Sequence, residues 1–118
     1  MQIEQKLELI RQALEAKKGT DIRILNVSER TSLCDYFVIC SGKSAPQVRA
    51  LAEAVDETLS RAGEEKRRAE GFSDGRWAVL DYGDVLVHIF HDEQRLFYRL
   101  EKLWEEALPP ENASNVGE

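Results

Sequence analysis

The 118-residue chain is poor in the groups from which most active sites are assembled. Its two histidines, His88 and His91, and its two cysteines, Cys34 and Cys40, form no cluster with metal-ligand spacing. No Asp-x-Asp is present to share a divalent ion from one strand face, and Gly-x-Gly-x-x-Gly is absent. Of a P-loop only Gly42-Lys43-Ser44 exists, without the earlier glycine. Apolar runs are only a few residues long, so no membrane span is expected. The start, Met1 to Lys6, resembles neither a signal peptide nor a transit peptide, and a cytoplasmic protein of bacterial type is expected. In that setting both thiols are expected to be reduced and structural.

Positive charge is also scarce. Lys and Arg total 16 against 22 Asp and Glu, for a net charge of −6. The one basic triplet, Lys66-Arg67-Arg68, is flanked by Glu64, Glu65 and Glu70. Nucleic-acid binders need basic surface to displace counterions, so direct RNA or DNA recognition is disfavoured. A basic protein partner suits this charge, although acidity also serves plain solubility.

What is present describes one globular domain: 42% of residues are apolar and 32% charged. Ile3, Leu7, Ile10 and Leu14 recur at helical spacing, with Gly19 to end the helix. Ile22 to Val27 partly alternates as a strand, and Ser28 to Leu33 is a polar connection. Asp35 to Ser41 reads as a buried strand that passes through Ser41-Gly42 straight into a helix. Ser44 is placed to cap that helix, with Pro46 in the first turn and Gln47 completing a capping-box pattern. Val48, Leu51, Ala52, Val55 and Leu59 mark its buried face, and Gly63 closes it. Lys66 to Ala69 is a candidate edge strand.

Gly83-Asp84 then forms the two-residue turn of a hairpin, of type II′ because glycine leads. The turn sets the register: Tyr82 faces Val85, Asp81 faces Leu86, Val79 faces His88 and Trp77 faces Phe90. Ala78, Leu80, Tyr82, Val85, Val87 and Ile89 share one apolar face, which should lie on the core. Trp77, Val79, Asp81, Leu86, His88 and Phe90 share the other. Asp81 and His88 lie on a diagonal, within reach of a hydrogen bond. Asp92 can cap a last helix with the stripe Leu96, Leu100, Leu103, Trp104 and Ala107, which Pro109-Pro110 stops. The order α-β-β-α-β-β-β-α gives an α/β (α+β) fold, with a mixed sheet of about five strands and flanking helices, over residues 1–107. Residues 108–118 read as a frayed tail.

The strand-to-helix turn Ser41-Gly42-Lys43-Ser44 is where an open α/β sheet binds ligands, so a nucleotide-binding or nucleotidyltransferase-type enzyme is one reading. The plainer reading is a tight turn and a capped helix. Metal-assisted nucleotidyl transfer needs converging carboxylates. Asp81 and Asp84 straddle the hairpin turn, and Asp35 begins a strand. No serine in a strained elbow accompanies the Asp81–His88 diagonal, so a structural or partner-facing pair is the better account. The mixed hairpin face remains: Trp, Tyr and His beside a carboxylate have the chemistry of an interface hot spot for a partner's Arg or Lys.

The ordered set Asp35-Tyr36-Phe37-Val38-Ile39, Ser41-Gly42-x-Ser44, Val48, Glu70-Gly71, Trp77 and Asp81-Tyr82-Gly83-Asp84 resembles the Iojap, or ribosomal silencing factor, family. The resemblance continues through Val87-His88-x-Phe90, Arg95, Tyr98 and Leu100-Glu101-x-Leu103-Trp104 and covers about residues 2–107. It implies a nucleotidyltransferase-like fold that lacks the catalytic carboxylates, and so no enzyme and no cofactor. It implies binding to a basic ribosomal protein on the interface side of the large ribosomal subunit. There the factor blocks subunit joining and represses translation when nutrients are scarce. The family's exposed contact residues correspond to Trp77, Asp81 and His88, and further to Tyr82, Arg95 and Tyr98. Members of the family often crystallise as dimers, and both monomer and homodimer are compatible with this sequence.

Overall fold

The computed structural model describes residues 1–92. Its elements are α1 (Ile3–Ala16), β1 (Thr20–Asn26), β2 (Tyr36–Gly42), α2 (Ala45–Arg61), β3 (Arg68–Glu70), β4 (Trp77–Asp81) and β5 (Val85–His91). The strands form one mixed sheet in the order β1-β2-β5-β4-β3. Among the described residues only β2 and β5 run parallel; β1–β2, β5–β4 and β4–β3 are antiparallel. The expected final helix, with Arg95 and Tyr98, and the expected tail lie outside the described residues.

Both helices pack on one face of the sheet. Ile10, Ala13 and Leu14 of α1 and Val48, Leu51, Ala52, Val55 and Leu59 of α2 meet Val38, Cys40, Ala78, Leu80, Val87 and Ile89 in one buried cluster. This is the α2 face expected from its spacing, and the hairpin face expected from the turn. A second, smaller cluster of Val27, Cys34, Phe37, Ile39 and Phe90 lies on the opposite face. Strands β2 and β5 are central, so they are buried on both sides, as parallel strands generally are.

The element ends depart from the pattern-based expectations for local physical reasons. Strand β1 starts at Thr20, ahead of Ile22, because the register shifts between Thr20 and Arg23 and Asp21 takes φ 51°. A bulge breaks the alternation from which a strand start is read. Strand β3 sits at Arg68–Glu70 instead of 66–69, paired with β4 at the sheet edge. Gly19 does not supply the left-handed residue after α1; Lys18 does, at φ 63°. Gly19 is small for another reason: a Cβ there would lie 2.4 Å from Cys40 Sγ. Ser44 caps α2 by accepting from Gln47 N–H at 3.1 Å, but the Gln47 side-chain Oε1 accepts from Lys43 N–H, one residue before the capping-box position. The Gln47 amide instead donates to the Lys17 and Lys18 carbonyls and satisfies the end of α1.

The hairpin turn matches its expected register, with Gly83 at φ 90° and Tyr82 N–H bonded to Val85 O at 2.9 Å. It is tied into the body at Asp84. The Asp84 carbonyl accepts from Asp35 and Tyr36 N–H at 2.8 and 3.0 Å, which joins the turn to the start of β2. The Asp84 carboxylate accepts from Lys6 Nζ at 2.7 Å, and the same ammonium reaches Glu64 at 2.8 Å. Lys6 is buried, and burial opposes its charge, but these two carboxylates outweigh that and hold its pKa above the ordinary value. A raised lysine pKa stabilises the fold throughout neutral pH, and the contribution is lost only as pH rises through the raised value. Lys6→Met should keep the stem packed but leave the partly exposed Glu64 and Asp84 carboxylates without their shared cation. We expect a loss of about 1–3 kcal/mol, read as a lower urea midpoint at unchanged slope.

Candidate partner-binding face

The face of the sheet away from α1 and α2 is ordered in rows by the strand registers. Trp77, Phe90, Ser41 and Thr20 lie across one end. Glu70, Val79, His88, Ile39 and Arg23 form the middle row. Arg68, Asp81, Leu86, Phe37 and Leu25 form the third. The centre of this grid is closed: Phe90 is 1%, Ile39 0%, Phe37 6% and His88 6% exposed. Accessible side chains lie at both edges of the face: Thr20 and Arg23 on β1, and on β4 and β3 Trp77, 39% exposed, followed by the half-buried Val79 and Asp81 and flanked by the exposed Glu70 and Arg68.

Trp77 is held from two directions. Its strand begins where Gly71, at φ 84°, passes so close that a Cβ would fall 1.8 Å from the Trp77 carbonyl oxygen. Only glycine fits that approach. Its ring stacks on Phe90 with centroids 5.1 Å apart, and its indole Nε1–H donates to His88 Nδ1 at 3.1 Å. An indole nitrogen can only donate, so His88 Nδ1 must be the acceptor and the neutral ring carries its proton on Nε2. That Nε2 is buried with no hydrogen-bond partner among the described residues. Phe37 packs edge-on against the imidazole at 4.8 Å. Burial in these apolar surroundings pulls the His88 pKa down to about 4.

Asp81 is oriented from its own turn. One carboxylate oxygen accepts from Gly83 N–H at 2.8 Å, and the other lies 3.4 Å from Arg68 Nε. The expected Asp81–His88 hydrogen bond does not form. Trp77 and Asp81 are both diagonal to His88, and Trp77 takes Nδ1 while the turn amide takes the carboxylate. Two further expectations are corrected. Tyr82 is not on this face: it is 6% exposed in the helix-side core, with its hydroxyl 3.5 Å from Asp56 on α2. His88 is not an exposed contact group; it is the buried support of Trp77. Arg95 and Tyr98 lie outside the described residues. The expected set therefore reduces here to Trp77 and Asp81, joined by Val79, Arg68 and Glu70. The diagonal rule that paired Asp81 with His88 offered the Trp77–His88 pair equally. The Arg68–Asp81 pair carried no such signal, because a three-residue edge strand has no readable register.

The Ser41–Ser44 turn is built as scaffold. Ser41 is buried, and a Cβ on Gly42 would crowd Val48 and Leu51 at 3.1 and 3.3 Å. The Lys43 and Gln47 backbone donors, which could otherwise meet an anion, are bonded to Gln47 and Ser44 side chains. Burial pushes the pKa of Cys34 up to about 11 and of Cys40 up to about 12, so both free thiols stay protonated at neutral pH. Among the described residues no three His, Cys, Asp or Glu side chains could hold a metal ion, and no helix is long and apolar enough to cross a membrane.

The family described as "Ribosomal silencing factor during starvation" matches residues 1–117 of this sequence. The chain belongs to that family. The ribosomal silencing factor of Halalkalibacterium halodurans is 40% identical over 101 residues, covering 86% of each chain. The chloroplastic Iojap protein of Zea mays is 35% identical over 97 residues, which span 80% of this chain and 41% of that protein. A crystal structure of a Chromobacterium violaceum protein, 39% identical, superposes with a TM-score of 0.84 over 88% of this chain and 87% of its own. The relatives so named are silencing factors, that is, regulators. The mixed five-stranded fold is the fold of this family.

The Trp77–His88 pair has a measurable consequence. The unfolded chain protonates His88 near its ordinary value of 6.5, the folded protein only near 4. The unfolded state binds more protons between these values, so stability is complete above about pH 6.5 and falls as pH drops toward 4. Asparagine at 88 offers Trp77 an acceptor but does not titrate. His88→Asn should flatten this acid limb by up to about 3 kcal/mol in denaturant unfolding series run from pH 8 to pH 4.

Proposed function

We propose that this chain docks through the Trp77–Val79–Asp81 strip onto a basic ribosomal protein on the interface side of the large ribosomal subunit. Bound there, it occupies space that the small subunit needs, blocks joining and lowers translation under nutrient limitation. The act is steric and requires no bond-making step. A cytoplasmic site of action follows from that partner, and a homodimer formed through the same strip would compete with it.

The observation that carries the choice of surface is an exposed tryptophan, held by His88 and Phe90, on the same strand face as an oriented carboxylate. The Trp77 indole N–H is already bonded to His88, so the residue offers a partner its ring. A preorganised aromatic ring loses little entropy on docking and suits a cationic side chain laid over it. The family's silencing role and the wording of its description, "during starvation", support the regulatory part of the reading. The net charge of −6 supports a basic partner, since opposite charge speeds encounter while buried aromatic contact sets the lifetime.

Trp77→Ala or Asp81→Lys should each abolish co-sedimentation with isolated large subunits while circular dichroism shows a folded domain. Normal co-sedimentation of both variants would show that docking does not use this strip.

A further inference from the structure

The carboxylate at the turn end of the docking strip is already attended by a cation of this chain. The β3–β4 register places Arg68 directly opposite Asp81, and Glu70 opposite Val79, so all three charges share one face. Arg68 Nε lies 3.4 Å from Asp81 Oδ2, and its Nη1 lies 3.7 Å from Glu70 Oε2. Both distances exceed the 2.7–2.9 Å of a well-made charge-assisted hydrogen bond. Other ion pairs of the molecule close fully: Lys6 reaches its carboxylates at 2.7 and 2.8 Å, and Lys66 reaches Asp56 at 2.9 Å. The Arg68 and Glu70 side chains are each 69% exposed, whereas that of Asp81 is 19% exposed and fixed by the Gly83 amide. An oriented, half-buried acceptor is thus paired with a loosely seated, exposed donor. Exposed pairs of this kind contribute little and are given up easily.

We infer that Arg68 is a displaceable occupant of the Asp81–Glu70 carboxylate pair, and that it holds the place taken by an arginine of the docking partner. This rests on the docking reading above. The partner group is a guanidinium because the resident one already spans both carboxylates with two different nitrogens. An ammonium can serve two carboxylates only where both converge on its single nitrogen, as Glu64 and Asp84 do on Lys6, whereas here each carboxylate faces a different nitrogen of the fork. Arg68 then acts as a selectivity residue. An incoming cation must separate it from Asp81 and bear its repulsion, so only a surface that also engages Trp77 makes the exchange favourable. Neighbouring basic surfaces without an aromatic-accepting site are turned away by the same charge.

The test is the affinity of the full chain for isolated large subunits across a salt series, with wild type, Trp77→Ala, Arg68→Gln and the Arg68→Gln/Asp81→Asn double variant. Arg68→Gln should bind about twofold to fivefold more tightly than wild type at low salt, the scale of one exposed ion pair. The gain should shrink as salt screens the charges, and the double variant should lose it. If wild type binds and Trp77→Ala does not, but Arg68→Gln binds equally or more weakly, Arg68 is no placeholder and only this inference falls. If wild type itself fails to bind, or Trp77→Ala binds normally, the docking reading falls and takes the inference with it.

Discussion

The parallel pairing of β2 with β5 is the constraint on which the rest of the structure depends. It runs in unbroken register from Tyr36 opposite Val85 to Gly42 opposite His91. Parallel neighbours cannot be joined by a tight turn, so the chain between them has to leave the sheet and return. Helix α2 and the β3–β4 antiparallel pair are that excursion. The helix covers one face of the pair it connects, and β4 returns as the outer neighbour of β5. The placement of Trp77 at the accessible side of the sheet is therefore a by-product of how β2 and β5 were brought together.

The same pairing explains why the two faces differ. On the helix side, the apolar residues of α1 and α2 fill the space over Val38, Cys40, Val87 and Ile89. On the other side, Phe37, Ile39 and Phe90 are buried in a cluster with Val27 and Cys34, and a histidine stands among them. A neutral imidazole is tolerable there because Trp77 satisfies one of its nitrogens. The exposed indole and the buried imidazole are one unit. The first supplies the surface feature, and the second fixes its angle.

Much of this was legible in the amino-acid order, for reasons that can be named. The alternation through Ala78, Leu80, Tyr82 and Val85 and the glycine-led turn carry both the register and the buried face of the hairpin, since period and turn type leave no freedom. The i, i+3, i+4 spacing from Val48 to Leu59 carries the buried side of α2 in the same way. Strand order was not legible, because β2 ends at Gly42 and β5 begins at Val85, and no local rule connects strands so far apart in the chain. The site was legible only by half. Trp77 and Asp81 stand out as residue types, but the choice of hydrogen-bond partner between two diagonals is settled by competition. Asp81 goes to the Gly83 amide and His88 to the indole, and neither outcome follows from spacing. Tyr82 shows the opposite case: spacing assigned it to the core, while family resemblance placed it among the contacts, and spacing was right.

Lys6 ties the first turn of α1 to Asp84, a partner 78 positions further along the chain. On a ribosome this link sets an order of events. The amino-terminal helix emerges early, but its buried ammonium gains its two carboxylates one after the other, Glu64 first and Asp84 only once the β4–β5 turn has been made. Strand β2 is in the same position, since its parallel neighbour arrives later still. Long-range closures of this kind slow folding and leave apolar strands unpaired during synthesis. A nascent copy of this protein thus stays incomplete until translation of nearly its whole domain has finished.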